Sequence, residues 1–299
     1  MTAPVAPPAP HGTALPSPVF TVSSGRLDLW LIRSPAGGDV SALDLSGLDD
    51  TERSKAEAFL RPADGLLYAS AHIALRRLLG RYTGRRPEEV RFGCEPCPGC
   101  GEPHGRPVMT DAPYPLHFSL SHSSGVALVG VAAVPVGVDV EKLPGQERVE
   151  VCAQALHPGE RAELAAAHAA DRPGLFGRLW TRKEAYLKGL GTGLSRSLAA
   201  DYLGLRAELH PAGWTVLDLP CFPTHAAAAA VHSSAPAEAR VRCVPERWLD
   251  ASDAWLTQDA PQSVRVDLGA GAPATSAAVL PARLTSPARL ASDGEDAPG

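Results

Sequence analysis

The run VALVGVAAVPVGVDVEK, residues 126–142, constrains the fold more than any other part of the chain. Its first half is apolar throughout and predicts a fully buried strand. After Pro135 the pattern alternates, so that Asp139 and Glu141 lie on one face of a second strand. The opposite face of that strand carries valines, namely Val136, Val138 and Val140. Two consecutive strands of this kind predict a sheet with at least one face buried against other parts of the protein.

Helical and strand patterns alternate along the rest of the chain. Apolar residues recur at helical spacing over residues 51–82 and again over residues 176–187, where Gly189 is expected to end the helix. HPGERAELAAAHAA also begins as a helix, and strand patterns occur in GRLDLWLIR, LHFSLS, GWTVLDL and ARVRCV. This order predicts an α+β fold made of two similar α/β halves.

The predicted organisation has four parts. Residues 1–18 form a leader rich in Pro and Ala, and residues 260–299 form a tail of similar character, so both are expected to be disordered. Residues 19–130 form an N-terminal α+β half, and residues 131–250 form a C-terminal half.

Composition and charge exclude some kinds of binding partner. The formal net charge of -5 argues against a general nucleic-acid binder, although six arginines between Arg76 and Arg91 gather in one region. That cluster is either a solvated helix face or a surface for phosphates or an acidic partner. No run is long and apolar enough to cross a bilayer, and no signal peptide is recognisable, so a cytoplasmic protein without a membrane partner is expected.

Three segments carry candidate chemistry. Asp139 and Glu141 offer hard oxygen ligands on one strand face, which suits Mg²⁺, and the alternative is a solvated strand end. His122 lies in the polar turn of FSLSHSSG, where it either contacts a phosphate or is an ordinary turn residue. In WTRKEAYLKGLGTGLS, Glu184 and Lys188 are four residues apart, and a plain surface ion pair would also explain them.

Taken together, FSLSHS, GVDVEK and WTRKEAYLKGLGTGLS resemble the signature segments of the 4′-phosphopantetheinyl transferases, of the large pseudo-dimeric type that activates surfactin, peptide and polyketide synthetases. The resemblance covers most of the chain from FLRPADG to about Val244. It implies an intramolecular pseudo-dimer and a monomeric enzyme. It also implies a reaction in which the phosphopantetheine arm of coenzyme A is transferred to a serine of an acyl or peptidyl carrier protein, releasing adenosine 3′,5′-bisphosphate.

The resemblance also implies roles for individual residues. Asp139, Glu141 and Glu184 would hold Mg²⁺ against the pyrophosphate. Lys188 would neutralise the pyrophosphate or the leaving group. The residues expected to bind coenzyme A phosphates are His122 and Arg76, with Lys183 and Ser121 as lesser candidates. Glu184 is the first choice for the base that accepts the proton of the carrier serine, and a metal-bound water is the alternative.

A separate cluster lies in CEPCPGCGEPH, where Cys94, Cys97, Cys100 and His104 could bind a structural Zn²⁺. All four ligands within eleven residues would form a tight knuckle, so a reduced, metal-free loop is preferred and zinc is the alternative. The scattered positions of the other cysteines are unlike a disulfide framework.

Two competing functions remain. The first is a non-catalytic, zinc-stabilised interaction module, in which the residues at 139, 141 and 184 could be replaced without loss of function. The second is another Mg²⁺-dependent enzyme acting on a nucleotide diphosphate, which the missing Walker loop and dinucleotide fingerprint disfavour.

Overall fold

A computed structural model of the protein describes residues 20–233, 238–250 and 263–266. Its α-helices are α1 (Asp50–Glu57), α2 (Pro62–Thr83), α3 (Gln146–Cys152), α4 (Pro158–Ala166), α5 (Arg172–Leu190) and α6 (Arg247–Asp250). Its strands are β1 (Arg26–Arg33), β2 (Phe92–Cys94), β3 (Pro107–Met109), β4 (His117–Ser123), β5 (Val126–Ala132), β6 (Val136–Lys142), β7 (Thr215–Asp218), β8 (His225–Val231), β9 (Glu238–Cys243) and β10 (Ser263–Arg265). The predicted α+β class is confirmed.

The strands form two larger sheets and one hairpin. The first sheet has the order β10-β9-β1-β5-β4, and the second has the order β6-β8-β7. Only the β1–β9 pair is parallel among the pairs of the described strands. The short β2–β3 hairpin stands apart from both sheets.

The core lies in layers. Helix α2 covers one face of the first sheet, where it packs around Trp30 and Ile32 of β1. The other face of β1 presents Leu27, Leu29 and Leu31 to the valines of β6, so the apolar faces of the two sheets meet. Helix α5 covers the opposite face of the second sheet, because Ala185 and Tyr186 pack against β8. The valine face predicted for residues 136–140 is therefore confirmed.

Two predicted helix boundaries are corrected. The helical pattern of residues 51–82 is divided into α1 and α2, because the chain between them leads into Pro62, which occupies the first turn of α2. Helix α5 continues past Gly189 and ends at Leu190, where Gly191 adopts a left-handed conformation with φ of 79°. Gly189 is instead a position of close contact with Trp214.

The predicted division at residues 130 and 131 does not match the sheets. It falls inside β5, and the late strand β9 returns to pair with β1 in the first sheet. Strand β10 extends that sheet, so residues 263–265 are ordered although they belong to the predicted disordered tail of residues 260–299. Apart from Val266, the rest of that tail and the predicted leader, residues 1–18, lie outside the described residues.

Close approach of α5 to β6 depends on Gly137. A Cβ atom at this position would lie 2.0 Å from the carbonyl oxygen of Ala185 and 2.3 Å from the backbone nitrogen of Gly189. We expect Gly137→Ala to lower the free energy of unfolding by about 1–3 kcal/mol, because the helix must move away from the strand. Urea denaturation measures this change, and Gly174→Ala, where a Cβ meets nothing within 4 Å, is the control. Equal stability of the two variants would contradict the proposed tight contact.

Candidate active site

Strand β6 and helix α5 bring four charged side chains together. Asp139 and Glu141 extend from the face of β6 that is turned away from its valines, and Glu184 and Lys188 lie one turn apart on α5. The Lys188 Nζ atom is 2.6 Å from Asp139 Oδ1. The ion pair joins the two elements across 49 residues of sequence. Among the ion pairs of the described residues Lys188 has Asp139 as its partner, so the alternative of a Glu184–Lys188 surface pair is wrong.

Burial and mutual repulsion characterise the three carboxylates. Asp139 is 2% exposed, and Glu141 and Glu184 are half-buried. Burial raises the pKa of Glu184, and the negative charge of Asp139 raises it further. Burial also raises the pKa of Glu141, again with a contribution from Asp139. Because neighbouring negative charges raise the pKa values of Glu141 and Glu184, a cation at this place would stabilise the ionised carboxylates.

Three alternating serines of β4 fix the acidic strand. Ser119 Oγ accepts a hydrogen bond of 3.1 Å from the Val138 backbone N–H. Ser121 Oγ donates to Asp139 Oδ1 at 2.7 Å, and Ser123 Oγ donates to Glu141 Oε2 at 2.7 Å. These hydroxyls therefore orient both carboxylates. The prediction from sequence did not assign this role, although the period of two in FSLSHS placed the three serines on one strand face.

One carboxylate oxygen is left without a partner. Asp139 Oδ1 accepts from both Ser121 and Lys188, but Asp139 Oδ2 is buried and has no hydrogen-bond partner. An unpaired buried carboxylate oxygen is costly unless a cation or another donor reaches it. The donor set is made of hard oxygens, which fits Mg²⁺. The acidic group is open rather than closed, since in the described residues only the cysteine loop places three ligand atoms within 4.8 Å of one another.

His122 lies on the other face of β4, next to helix α2. The His122 side chain is partly covered, and its ring meets the Tyr68 ring edge-on, with 6.3 Å between the centroids. Partial burial of the ring lowers the pKa of His122, and the positive charges of His72, Lys188 and Lys55 lower it further. The surroundings of His122 are thus basic, which is favourable for an anionic ligand.

Arg76 does not reach this site, and its predicted role is corrected. The side chain is 1% exposed and lies inside the N-terminal half. Its Nε donates to Glu52 Oε2 at 2.6 Å and its Nη2 donates to Asp49 Oδ2 at 2.8 Å. Its Nη1 donates to the carbonyl oxygens of Pro87 and Val90. Because these contacts use the guanidinium in the core, Arg76 ties α1 to α2 and leaves no exposed group for a phosphate.

Two lesser candidates are corrected in the same way. Lys183 is 2% exposed, and its Nζ lies 2.9 Å from Glu160 Oε1 and donates to the Asp201 carbonyl oxygen. It therefore holds α5 to α4. Ser121 is 6% exposed and its hydroxyl is occupied by Asp139. Ser121 positions an acidic residue rather than binding coenzyme A directly.

The cysteine loop brings three of its four predicted ligands together. Cys97, Cys100 and His104 form a group in which the ligand atoms lie within 4.8 Å of one another. Cys94 is exposed on β2 and is not part of that group. The predicted four-ligand set is corrected to three.

Comparisons with known proteins identify relatives of this chain. Residues 135–235, which include β6 and α5, match the model of a family described as the 4′-phosphopantetheinyl transferase superfamily. HetI of Nostoc sp., a 4′-phosphopantetheinyl transferase, is 33% identical over 191 residues, which are 62% of this chain and 77% of that protein. AcpT of Salmonella typhimurium is 34% identical over 52% of this chain and 72% of its own length. Sfp of Bacillus subtilis is 26% identical over 59% of this chain and 73% of its own length.

The fold, the site and these relatives define a transferase. The chain belongs to the 4′-phosphopantetheinyl transferase superfamily, and the resemblance found in its sequence is confirmed. Within residues 20–233, 238–250 and 263–266, no helix combines the length and hydrophobicity that a membrane span requires.

Proposed function

We propose that the protein transfers the 4′-phosphopantetheine arm of coenzyme A to a serine hydroxyl of acyl or peptidyl carrier proteins, and that adenosine 3′,5′-bisphosphate is released. The observation that carries this proposal is the acidic group of buried Asp139 and half-buried Glu141 and Glu184, with Lys188 beside it. It lies within the segment that matches the family.

Magnesium is part of this proposal. Asp139, Glu141 and Glu184 would hold the ion, and the unpaired, buried Asp139 Oδ2 supports a cation at this place. When bound, Mg²⁺ would act as a Lewis acid on the pyrophosphate oxygens. Phosphoryl transfer depends mainly on alignment and on neutralising charge, which is what a preorganised acidic and basic cluster supplies.

The remaining roles follow from position. The Lys188 side chain is 32% exposed, so its ammonium group is accessible to a phosphate while it stays paired with Asp139. His122, in its basic surroundings, would bind a phosphate of coenzyme A. Glu184 would accept the proton of the carrier serine, because it lies beside the proposed metal on α5 and no described hydrogen bond occupies its carboxylate.

Several wider features belong to the same proposal. Each half sets one long helix, α2 or α5, against antiparallel strands, which supports an intramolecular pseudo-dimer that works as a monomer. Carrier domains of polyketide and non-ribosomal peptide synthetases are the proposed partners. Since coenzyme A and such carriers occur together in the cytoplasm, we place the enzyme there.

Mass spectrometry of a carrier protein tests this function directly. Incubation of an apo carrier with the protein, coenzyme A and Mg²⁺ is expected to add the mass of one phosphopantetheine group. A carrier whose acceptor serine is replaced by alanine is the control and should gain nothing. Failure to modify any of several acyl and peptidyl carriers would contradict the proposal.

A further inference from the structure

The loop between β2 and β3 brings two cysteine thiols and one histidine ring close together. Cys100 Sγ lies 3.0 Å from His104 Nε2, and Cys97 Sγ belongs to the same group of atoms within 4.8 Å. Cys97 is 2% exposed, whereas Cys100 and His104 are exposed. The group thus has one buried thiol and two ligands that face solvent, through which an ion can enter.

The backbone of this loop folds as a tight turn around the Cys97 sulfur. The Gly101 N–H donates to the Cys97 carbonyl oxygen at 2.8 Å, and Gly101 adopts a φ of 79°. Gly99 lies against the Cys97 sulfur, since a Cβ atom at that position would be 3.7 Å from Sγ. The turn therefore holds the Cys97 sulfur in a fixed position at the centre of the loop.

Further backbone bonds hold the ligands in place. The Cys97 N–H donates to the Glu102 carbonyl oxygen at 2.8 Å, and the Gly105 N–H donates to the Glu95 carbonyl oxygen at 2.8 Å. These backbone bonds fold the loop so that His104 lies beside the two thiols. The three ligands are therefore brought together by contacts within the loop. Two sulfurs and one imidazole nitrogen are a ligand set suited to Zn²⁺ rather than to Mg²⁺ or Ca²⁺.

We propose that Cys97, Cys100 and His104 bind one zinc ion, and that water at the exposed side of the loop takes the fourth position. Cys94 is not a ligand. This proposal differs from the sequence-based preference, which was a reduced loop without metal.

The loop also supports the end of α5. Arg106 Nη1 donates to the Gly189 carbonyl oxygen at 3.2 Å, and the Arg106 side chain pairs with Glu95 at 2.5 Å. On the other side of the loop, Cys97 Sγ lies 4.0 Å from Ser195 Oγ. Gly189 directly follows Lys188, so the ion would stabilise the loop that braces this end of the candidate active site. The role is structural, since no ligand of the cluster belongs to the acidic group.

Metal content is the first test. Untagged protein, purified without chelator, is expected to contain about one zinc per chain by elemental mass spectrometry. Cys100→Ser and His104→Ala should each lower the zinc content by about tenfold or more, and both residues are exposed, so these variants are expected to fold. Cys94→Ser and Cys152→Ser are the matched controls and should keep the metal.

A second measurement identifies the ligands. Protein stripped of metal and reloaded with Co²⁺ should show the absorption of tetrahedral cobalt with thiolate ligands, and this absorption should be lost in Cys100→Ser. Absence of zinc from the parent protein, its retention in Cys100→Ser, or its loss in Cys94→Ser would overturn the assignment. Metal content and cobalt spectra do not require turnover, so they remain decisive even if carrier modification fails.

Discussion

Replacement of Asp139 by alanine is expected to lower kcat/KM for phosphopantetheine transfer by on the order of 10²–10³-fold. Asp139 is the shared partner of Ser121 and Lys188 and carries the unpaired oxygen proposed for the cation. The variant should stay folded, because removing one of three neighbouring carboxylates relieves repulsion and Lys188 is 32% exposed to water. Carrier mass spectrometry at a series of coenzyme A and Mg²⁺ concentrations measures the effect, with circular dichroism to confirm folding.

The control for this variant is Asp111→Ala. Asp111 is also paired with a basic side chain, Arg85, but both are at the surface, where ion pairs contribute little. Its kcat/KM and its thermal unfolding should equal those of the parent. An Asp139 variant that transfers the arm at the normal rate would show that the acidic group does not hold the catalytic metal.

The acidic strand could be predicted from sequence because its signal is local. In VGVDVEK the alternation of valines with acidic residues is complete within seven residues, and the structure places the valines between the two sheets. The same period of two was present in FSLSHS, where Ser119, Ser121 and Ser123 all contact β6. A strand pattern shows which residues share a face but not which element lies opposite, so the serines could not be assigned to the carboxylates.

Pairing between distant segments escaped prediction for the same reason. The sequence ARVRCV predicts a strand, yet the parallel pairing of this strand with β1 joins residues more than two hundred positions apart. The contact between Lys188 and Asp139 is also non-local, whereas the alternative Glu184–Lys188 pair would have followed the simple helical spacing of four. Helical spacing brings Glu184 and Lys188 within reach of each other, but Lys188 pairs with the buried carboxylate of Asp139 instead.

The arginine cluster is another case in which the sequence did not show the partners of a side chain. Arg76 stands in a run of basic residues on a helix, and the family resemblance implied the phosphates of coenzyme A as its partners. The structure supplies carboxylates from an earlier helix and its cap instead, Glu52 and Asp49. The aromatic ring of Phe92 covers the guanidinium, with 4.9 Å from the Arg76 Cζ atom to the ring centroid. A buried arginine that is paired with carboxylates stabilises the fold. Its replacement should therefore change the free energy of unfolding but not the KM for coenzyme A.

Arg76→Leu is therefore expected to lower the free energy of unfolding by about 3–5 kcal/mol, because the variant leaves the buried Glu52 carboxylate without this partner. Urea denaturation measures this loss. The KM for coenzyme A, determined at a temperature where the variant is folded, should stay within about twofold of the parent value. Arg86→Leu is the control, since Arg86 belongs to the same cluster but pairs with Glu89 at the surface, and it should change neither quantity. A KM raised tenfold at unchanged stability would instead make Arg76 a ligand of coenzyme A.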